Sequence, residues 1–340
     1  LYAWYVLYFL KSDYFIKEAK YKGTAGQQRV LSSYVQNKLF PIPPYNEQYR
    51  IIGKVQDVFS IVDKYEKSQQ GLDKLNALIF DSLKKSILQE AIQGKLVPQI
   101  AEEGTAQELL EQIRQEKQKL VKEGKLKKSA LTDSAIFKGD DNKYYEQIGK
   151  SVKEITEEIA FDLPNGWYWC RLKDICSIFT GATFKKEEAT ITRKGIRILR
   201  GGNISPFELK IKDDDIFLTK DKVKEDILLK ENDILTPAVT SLENIGKMAR
   251  VDSDMSDTTV GGFVFIIRLH LINRWFSKYI LYLLSSPFMI DFMKSITNKS
   301  GQAFYNIGKE RLSMALLPIP PLTEQYRIVT QIEKLFEQLR

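Results

Sequence analysis

The sequence has a single histidine, His270, and two cysteines, Cys170 and Cys176. One histidine cannot supply a two-histidine zinc motif. Two cysteines cannot build a disulfide framework or a four-cysteine zinc site, and they are too sparse to suggest secretion. The longest apolar run, Leu1–Leu10, falls far short of the roughly 20 residues that a membrane-spanning helix needs. No Gly-x-Gly-x-x-Gly loop for a nucleotide cofactor is present. The first residue is Leu, so the sequence is treated as a fragment and no leader is judged from it. What remains is a chain of 340 residues, 43% hydrophobic and 28% charged. That is a globular composition, sized for about two domains. A net charge of +7 weakly favours polyanionic partners such as nucleic acid or a membrane surface.

An internal repeat organises the chain. Residues 39–52 read LFPIPPYNEQYRII and residues 316–329 read LLPIPPLTEQYRIV, with ten of fourteen positions identical. Upstream, Tyr5, Tyr8, Leu10 and Ser12 match Tyr279, Tyr282, Leu284 and Ser286, and Gly26-Gln27 matches Gly301-Gln302. The chain thus holds two incomplete copies of one unit. The second has a long body, about residues 161–315; the first retains only the tail of one, residues 1–38.

Each proline block leads into a helix, because Pro43-Pro44 and Pro320-Pro321 halt what precedes them. Asn46 and Thr323 are suitable N-caps, and Glu47 and Glu324 suit the positive end of the helix dipole. Beyond Asn46 a heptad pattern runs through Ile51, Val58, Tyr65, Leu72 and Ile79, interleaved with Val55, Val62, Gln69, Asn76 and Leu83. This 4–3 spacing predicts a long coiled-coil helix, with Gln69 and Asn76 as polar breaks in its seam. Gly94 is a natural stop, with Pro98 beyond. In residues 99–160, Thr105 and Glu108 predict a capping box for a helix to about Glu123. A lysine cluster follows, then a polar, loop-rich stretch. The body mixes expected strands (Ile196–Leu199, Ile216–Leu218, Phe263–Ile267) with expected helices (Trp275–Leu284, Pro287–Ser295), an α+β pattern.

Searches for catalytic chemistry fail. Ile42-Pro43-Pro44-Tyr45 lacks the polar first residue with which adenine methyltransferases hold the target amino group. Gly301–Gly308-Lys309 has the wrong spacing for a phosphate loop, and Glu310 stands where Ser or Thr is needed. Asp213-Asp214-Asp215 reads as a solvated turn, since three consecutive side chains do not converge on a metal. His270 reads as structural. Basic features are better placed. Lys185, Lys186, Arg193, Lys194, Arg197 and Arg200 fall within sixteen residues, opposed by Glu187 and Glu188. Arg200-Gly201-Gly202-Asn203 follows a strand, where glycine admits backbone to a phosphate and Arg or Asn can pair with a base edge. Asn298, Lys299 and Gln302 form a second polar loop, with Gln27 and Gln28 in its first-copy counterpart. These twelve residues are the candidates for DNA contact; the plainer alternative is an exposed basic face.

Taken together, the chain resembles the specificity subunit of a type I restriction–modification system. The resemblance rests on the paired Pro-Ile-Pro-Pro…Glu-Gln-Tyr-Arg-Ile blocks, the helix end Leu88-Gln-Glu-Ala-Ile-Gln-Gly-Lys-Leu-Val-Pro98, and Leu163-Pro-Asn-Gly-Trp167. Leu172-Lys-Asp-Ile175 and Thr180-Gly181 follow. It implies an α+β fold in which two target-recognition domains of mixed strands and helices are joined by long antiparallel coiled-coil spacer helices. The implied division is residues 1–45, the end of a first recognition domain; 46–98, a spacer helix; 99–160, a connector; 161–321, a second recognition domain; and 322–340, the start of a second spacer helix. Each recognition domain would read half of a split double-stranded DNA site. The spacer helices would dock modification subunits that methylate adenine with S-adenosylmethionine. Restriction subunits would add translocation and cleavage using ATP and Mg. The chain itself would be non-catalytic, cytoplasmic and without cofactor or metal. If the sequence is a genuine half-length product, the missing part of the pattern implies that such a subunit recovers its helix pair as a homodimer; if a longer chain was cut, the question does not arise. The competing readings are a coiled-coil interaction scaffold without DNA specificity and a methyltransferase or nuclease acting alone; the latter lacks its motifs.

Overall fold

Prolines set the frame of both helix starts, but each helix begins two residues earlier than N-caps at Asn46 and Thr323 would place it, at Tyr45 and at Leu322. Asn46 and Thr323 therefore lie inside their helices. The start is braced instead by a glutamine that folds back: the Gln48 amide donates to the Pro43 carbonyl at 2.8 Å, and the Gln325 amide donates to the Pro320 carbonyl at 2.9 Å. The computed structural model describes residues 1–24, 27–300 and 304–339. Gly26, Gly301 and the candidate Gln302 lie outside the described residues, as does the side chain of Gln27. Two compact units are present, residues 1–79 and 80–340.

The first unit contains α1 (Ala3–Leu10), α2 (Asp13–Ile16), a hairpin of β1 (Tyr21–Thr24) and β2 (Gln27–Val30), α3 (Ser32–Asn37) and the start of α4 (Tyr45–Ile92). Its small interior is aromatic: Phe9 meets Phe40 edge-on at 4.5 Å, and Tyr2 stacks on Tyr49 at 4.0 Å. The 48 residues of α4 make a helix of about 70 Å at 1.5 Å per residue. It ends as expected at Gly94. The Lys95 N–H reaches the Glu90 carbonyl and the Gly94 N–H the Ala91 carbonyl, a Schellman cap that needs the left-handed φ of +70° at Gly94.

The second unit opens with α5 (Ala106–Lys122). The expected capping box does not form: the Thr105 side chain caps nothing, and the Ala106 N–H is taken by the Gly166 carbonyl. The stretch read as loop-rich is instead an antiparallel sheet of β3 (Ser134–Lys138), β4 (Tyr144–Ile148) and β5 (Ser151–Glu154). It holds because Ile136 packs on Trp169, and because buried Glu146 of β4 receives the Arg171 guanidinium through two bonds of 2.8–3.0 Å. The body follows with β6 (Tyr168–Arg171), α6 (Leu172–Ile175), β7 (Cys176–Thr180), β8 (Ile196–Leu199), β9 (Ile204–Ser205), β10 (Glu208–Leu209) and β11 (Ile216–Leu218). Next come β12 (Ile234–Pro237), β13 (Val239–Thr240), β14 (Ala249–Arg250), β15 (Thr258–Val260) and β16 (Val264–Leu269). It closes with α7 (Arg274–Leu284), α8 (Pro287–Ser295), β17 (Thr297–Ser300), β18 (Phe304–Ile307), α9 (Lys309–Ser313), β19 (Leu316–Ile319) and α10 (Leu322–Gln338). The sheets run β14-β12-β16-β7, β11-β8-β15, β13-β18-β17 and β19-β6. This is an α+β fold, as the pattern suggested.

One core joins Leu88 and Ile92 of α4, Leu109 and Ile113 of α5, Phe276 and Ile280 of α7, and Ile328 and Ile332 of α10. A second fills the space around Ile198, Leu218, Val260 and Ile266. The repeat is visible element by element. α1, α2, the β1–β2 hairpin and α3 recur as α7, α8, the β17–β18 hairpin and α9, and α4 recurs as α10. Matched contacts recur too. The Tyr5 hydroxyl donates to the Pro41 carbonyl, as Tyr279 does to Pro318. Tyr8 meets Phe59 at 5.6 Å, and Tyr282 meets Phe336 at 5.9 Å. Among the described residues no helix is long and apolar enough to cross a membrane.

Candidate nucleic-acid interface

The basic cluster is built around β8, which lies between β11 (antiparallel) and β15 (parallel). Alternation on β8 buries Ile196 and Ile198 and turns Arg197 to the other face. There the Arg197 guanidinium sits 4.9 Å over the Phe217 ring and donates to Asp215 at 3.0 Å. Asp215 is fully buried, so the expected solvated turn holds only for its two neighbours. Burial alone would raise the Asp215 carboxyl, but the Asn203 amide, the Lys212 N–H and the Arg197 guanidinium together hold it below the usual range. Asn203 is also buried. Its amide group donates to Asp215 at 2.7 Å and to the Lys210 carbonyl at 2.9 Å, while its oxygen accepts the Arg200 N–H at 2.8 Å. These bonds turn it inward, where it shapes the Gly201–Asn203 turn instead of facing a base.

The remaining arginines are exposed and paired. Arg200 donates to the Asp214 carboxylate at 2.9 Å, and Arg193 donates to Asp213 at 2.7 Å. Lys185 and Lys186 begin a short turn whose Glu188 carboxylate accepts the Lys185 N–H at 2.8 Å and pairs with Lys222 at 2.9 Å. These two contacts, the Lys185 N–H first, hold the Glu188 carboxyl below its usual value. The ammonium groups of Lys185, Lys186, Lys194 and Lys212 are exposed and have no partner among the described residues. Lys212 was missed by the sequence reading; it stands over the turn, with its Nζ 3.5 Å from where a Cβ on Gly202 would be. Asn298 and Lys299 are exposed on β17, in a different sheet. Gln28 is exposed on β2 in the first unit. The structure thus gathers Lys185 through Asn203 around β8, whereas Asn298 and Lys299 belong to a different sheet.

A second polar centre joins α10 to the end of α4. The Trp167 indole N–H donates to Glu324 at 2.9 Å and the Gln99 amide donates to its other oxygen at 2.8 Å. Arg327 clamps Glu103 through bonds of 2.6 and 2.8 Å and donates to the Pro98 carbonyl at 3.0 Å. Lys84 lies over the Phe336 ring at 5.8 Å. From Lys84 on α4 to Gln99 beyond its end, the residues met on α10 fall from Phe336 to Glu324, so the two segments run antiparallel here. The seam residues further back on α4 have no such cover. Ile51 and Val55 are half-buried, whereas Val58, Val62, Tyr65, Leu72, Asn76, Ile79 and Leu83 are exposed. His270 is buried, and burial pushes its imidazole down to about 4, as suits a structural histidine. Among the described residues no three metal-ligating side chains come together.

These features have a known counterpart. A family model described as the type I restriction modification DNA specificity domain matches residues 164–340. The chain belongs to this family. Over 378 aligned positions it is 31% identical to the type I restriction enzyme EcoAI specificity subunit of Escherichia coli, covering 98% of this chain and 59% of that protein. It is 26% identical to the EcoEI specificity subunit of Escherichia coli, covering 98% of this chain and 60% of that one. The chain therefore spans about three fifths of the length of these type I specificity subunits. Its fold is also similar to the HsdS subunit from Thermoanaerobacter tengcongensis, with a TM-score of 0.42 and 19% identity over 98% of this chain and 62% of that chain.

Proposed function

We propose that residues 161–321 form a target-recognition domain that reads one half of a split DNA site, as the non-catalytic specificity subunit of a type I restriction–modification complex. Residues 1–45 are the end of the first recognition domain, 46–98 is a spacer helix, 99–160 a connector, and 322–340 the start of a second spacer helix. The observation that carries the reading is the grouping of Lys185, Lys186, Lys194 and Lys212, exposed and without partner among the described residues, around Arg193 and Arg200. Lysine and arginine contacts to phosphate supply affinity and salt dependence, while few side chains choose bases. A stiff helix suits a spacer better than a flexible linker, because half-site spacing is then a geometric property.

The spacer helices dock modification subunits that methylate adenine with S-adenosylmethionine. Restriction subunits add cleavage driven by ATP and Mg. The uncovered seam of α4 favours an apolar protein partner, and the partner proposed is a second copy of the chain, giving a homodimer. The test is to express the chain with its modification subunit in a methylation-free host and sequence the DNA for N6-methyladenine. A new split motif that disappears on deletion is the expected result. A soluble complex that leaves the DNA unmethylated would overturn the reading and put the scaffold role ahead of it.

A further inference from the structure

Three consecutive aspartates each hold one arginine of the basic cluster: Asp213 holds Arg193 at 2.7 Å, Asp214 holds Arg200 at 2.9 Å and Asp215 holds Arg197 at 3.0 Å. The three pairs are not alike. Asp215 is 0% exposed and is tied to Asn203 and the Lys212 N–H as well, so its pair belongs to the framework. Asp213 and Asp214 are 101% and 74% exposed, and their arginines 62% and 47%. Ion pairs this open to water cost little to break, so these two are exchangeable.

The geometry of the arginines is set by the backbone. Arg200 directly follows β8, and continuing the register of β8 with β11 places it opposite Asp214. Arg193 precedes β8 and is bent back by a left-handed backbone, φ +50°, that a bulky residue rarely adopts. The bend continues at Gly195, φ +101°, where a Cβ would lie 2.1 Å from the Leu218 carbonyl. A loop folded this tightly brings Arg193 to Asp213, twenty residues away in sequence.

We infer that Asp213 and Asp214 are specificity-determining positioning residues: they hold Arg193 and Arg200 in a fixed orientation and are displaced from them only by DNA whose groups match that orientation. The inference rests on the DNA-reading role proposed above. A carboxylate beside each guanidinium does two things. It keeps the fork from collapsing onto any passing phosphate, and its own charge repels phosphates that approach out of register. Matching DNA offers the arginine a bidentate acceptor, such as the O6 and N7 of guanine, in exchange for the aspartate. Non-matching DNA offers no such exchange and meets the repulsion. The unpaired lysines nearby supply sequence-independent attraction, so the two aspartates are what separate specific from non-specific binding on this face.

The test uses the chain assembled with its modification subunits, a duplex carrying the mapped methylation site, and a scrambled duplex of equal length. Binding is measured across a salt series for Asp213→Asn with Asp214→Asn, for Arg193→Ala and Arg200→Ala, and for Glu187→Gln, an exposed carboxylate in the same region that holds no arginine. The double asparagine variant is expected to bind the scrambled duplex more tightly, with a salt slope steeper by about 2, and its preference for the cognate duplex is expected to fall about tenfold, the scale of one weakened base contact. Glu187→Gln is expected to raise both affinities alike and leave the ratio unchanged. Asp214→Glu, which keeps the carboxylate, is expected to restore most of the preference. If the arginine variants weaken cognate binding but the asparagine variant behaves like Glu187→Gln, the positioning role is wrong and the DNA-reading role stands. If the arginine variants change nothing, both fall.

Discussion

The indole N–H of Trp167 donates to the buried Glu324 carboxylate at 2.9 Å, tying the Leu-Pro-Asn-Gly-Trp turn that opens the second body to the first turn of α10. Glu324 is a residue of the repeated Glu-Gln-Tyr-Arg block, and its counterpart Glu47 has no partner among the described residues, nor has Arg50, the counterpart of Arg327. The glutamine of the block braces its helix in both copies, whereas the glutamate and arginine are engaged only in the second. Trp167→Phe keeps the apolar bulk and removes the N–H. Chemical denaturation should show a loss of about 1–3 kcal/mol, the cost of leaving a buried acceptor short of a donor. Glu47→Gln should be nearly neutral in the same experiment. Equal effects at both positions would show that Glu47 has a buried partner as well.

The Arg171 cluster sets a prediction with a pH signature. Arg171 and Glu146 are both buried, and Glu158 accepts a third bond from the same guanidinium at 2.8 Å. The hydrogen bonds from Arg171 are the largest influence on Glu146 and hold its carboxyl below the usual 4.5, against the opposing effect of burial. A depressed carboxyl contributes stability that is present above its unfolded pKa and is lost as pH falls through its folded value. Arg171→Met should therefore destabilise by about 3–5 kcal/mol at pH 7, because it strands Glu146 without its partner. The stranded carboxyl is raised by burial above the usual 4.5, so the deficit should begin to shrink while pH is still above 4.5, as Glu146 protonates in the variant, and shrink further below it as the wild type loses its depressed carboxylate. Urea midpoints for wild type and variant at pH 7 and pH 4 measure this. A deficit that does not change with pH would locate the loss in packing alone.

How far these features could be read in advance differs by kind. The strands Ile196–Leu199 and Ile216–Leu218 stand where the β-branched clusters placed them, because their side chains fill the second core directly. The repeat was legible in identities and recurs as matched contacts. The β3–β5 sheet was not legible. β3 and β4 carry one buried residue each, Ile136 and Glu146, and β5 carries none; what holds the sheet is tertiary: Trp169, Phe161 and the Arg171–Glu146 pair. The basic cluster was visible as charge, but Asn203 and Arg197 were indistinguishable from Arg200 until Asp215 was seen to be buried beneath them. The pairing of Arg193 with Asp213 depends on a loop bend that no local pattern encodes.

The α4 seam makes a prediction in which stability and assembly separate. Tyr65 is 68% exposed and Leu72 51% exposed, so replacing them within a single copy removes few contacts. Tyr65→Glu with Leu72→Lys should change the stability of the first unit, in which both lie, by no more than about 0.5 kcal/mol per site, as surface substitutions do. The same change places charges in a seam whose cover must be apolar. Light scattering on the 340-residue chain should give a dimer for wild type and a monomer for the variant. A wild-type monomer would remove the second copy as the seam's partner.

The lysines offer a prediction that needs no knowledge of the target sequence. Lys185, Lys186, Lys194 and Lys212 are exposed and hold no carboxylate among the described residues, so each is available to neutralise one phosphate. Every phosphate neutralised releases counterion and adds about 0.9 to the slope of log affinity against log salt. Changing one of these lysines to alanine should lower that slope by about 1 and weaken binding to all sequences alike, leaving preference untouched. Lys222, already paired with Glu188 at 2.9 Å, serves as the internal contrast. Its alanine variant exposes a carboxylate as it removes a cation, and should weaken binding without the same regular step in slope. A filter-binding series on a random duplex measures all five. Unchanged slopes for the four unpaired lysines would move the DNA-facing surface away from β8, toward the exposed Asn298 and Lys299 of β17.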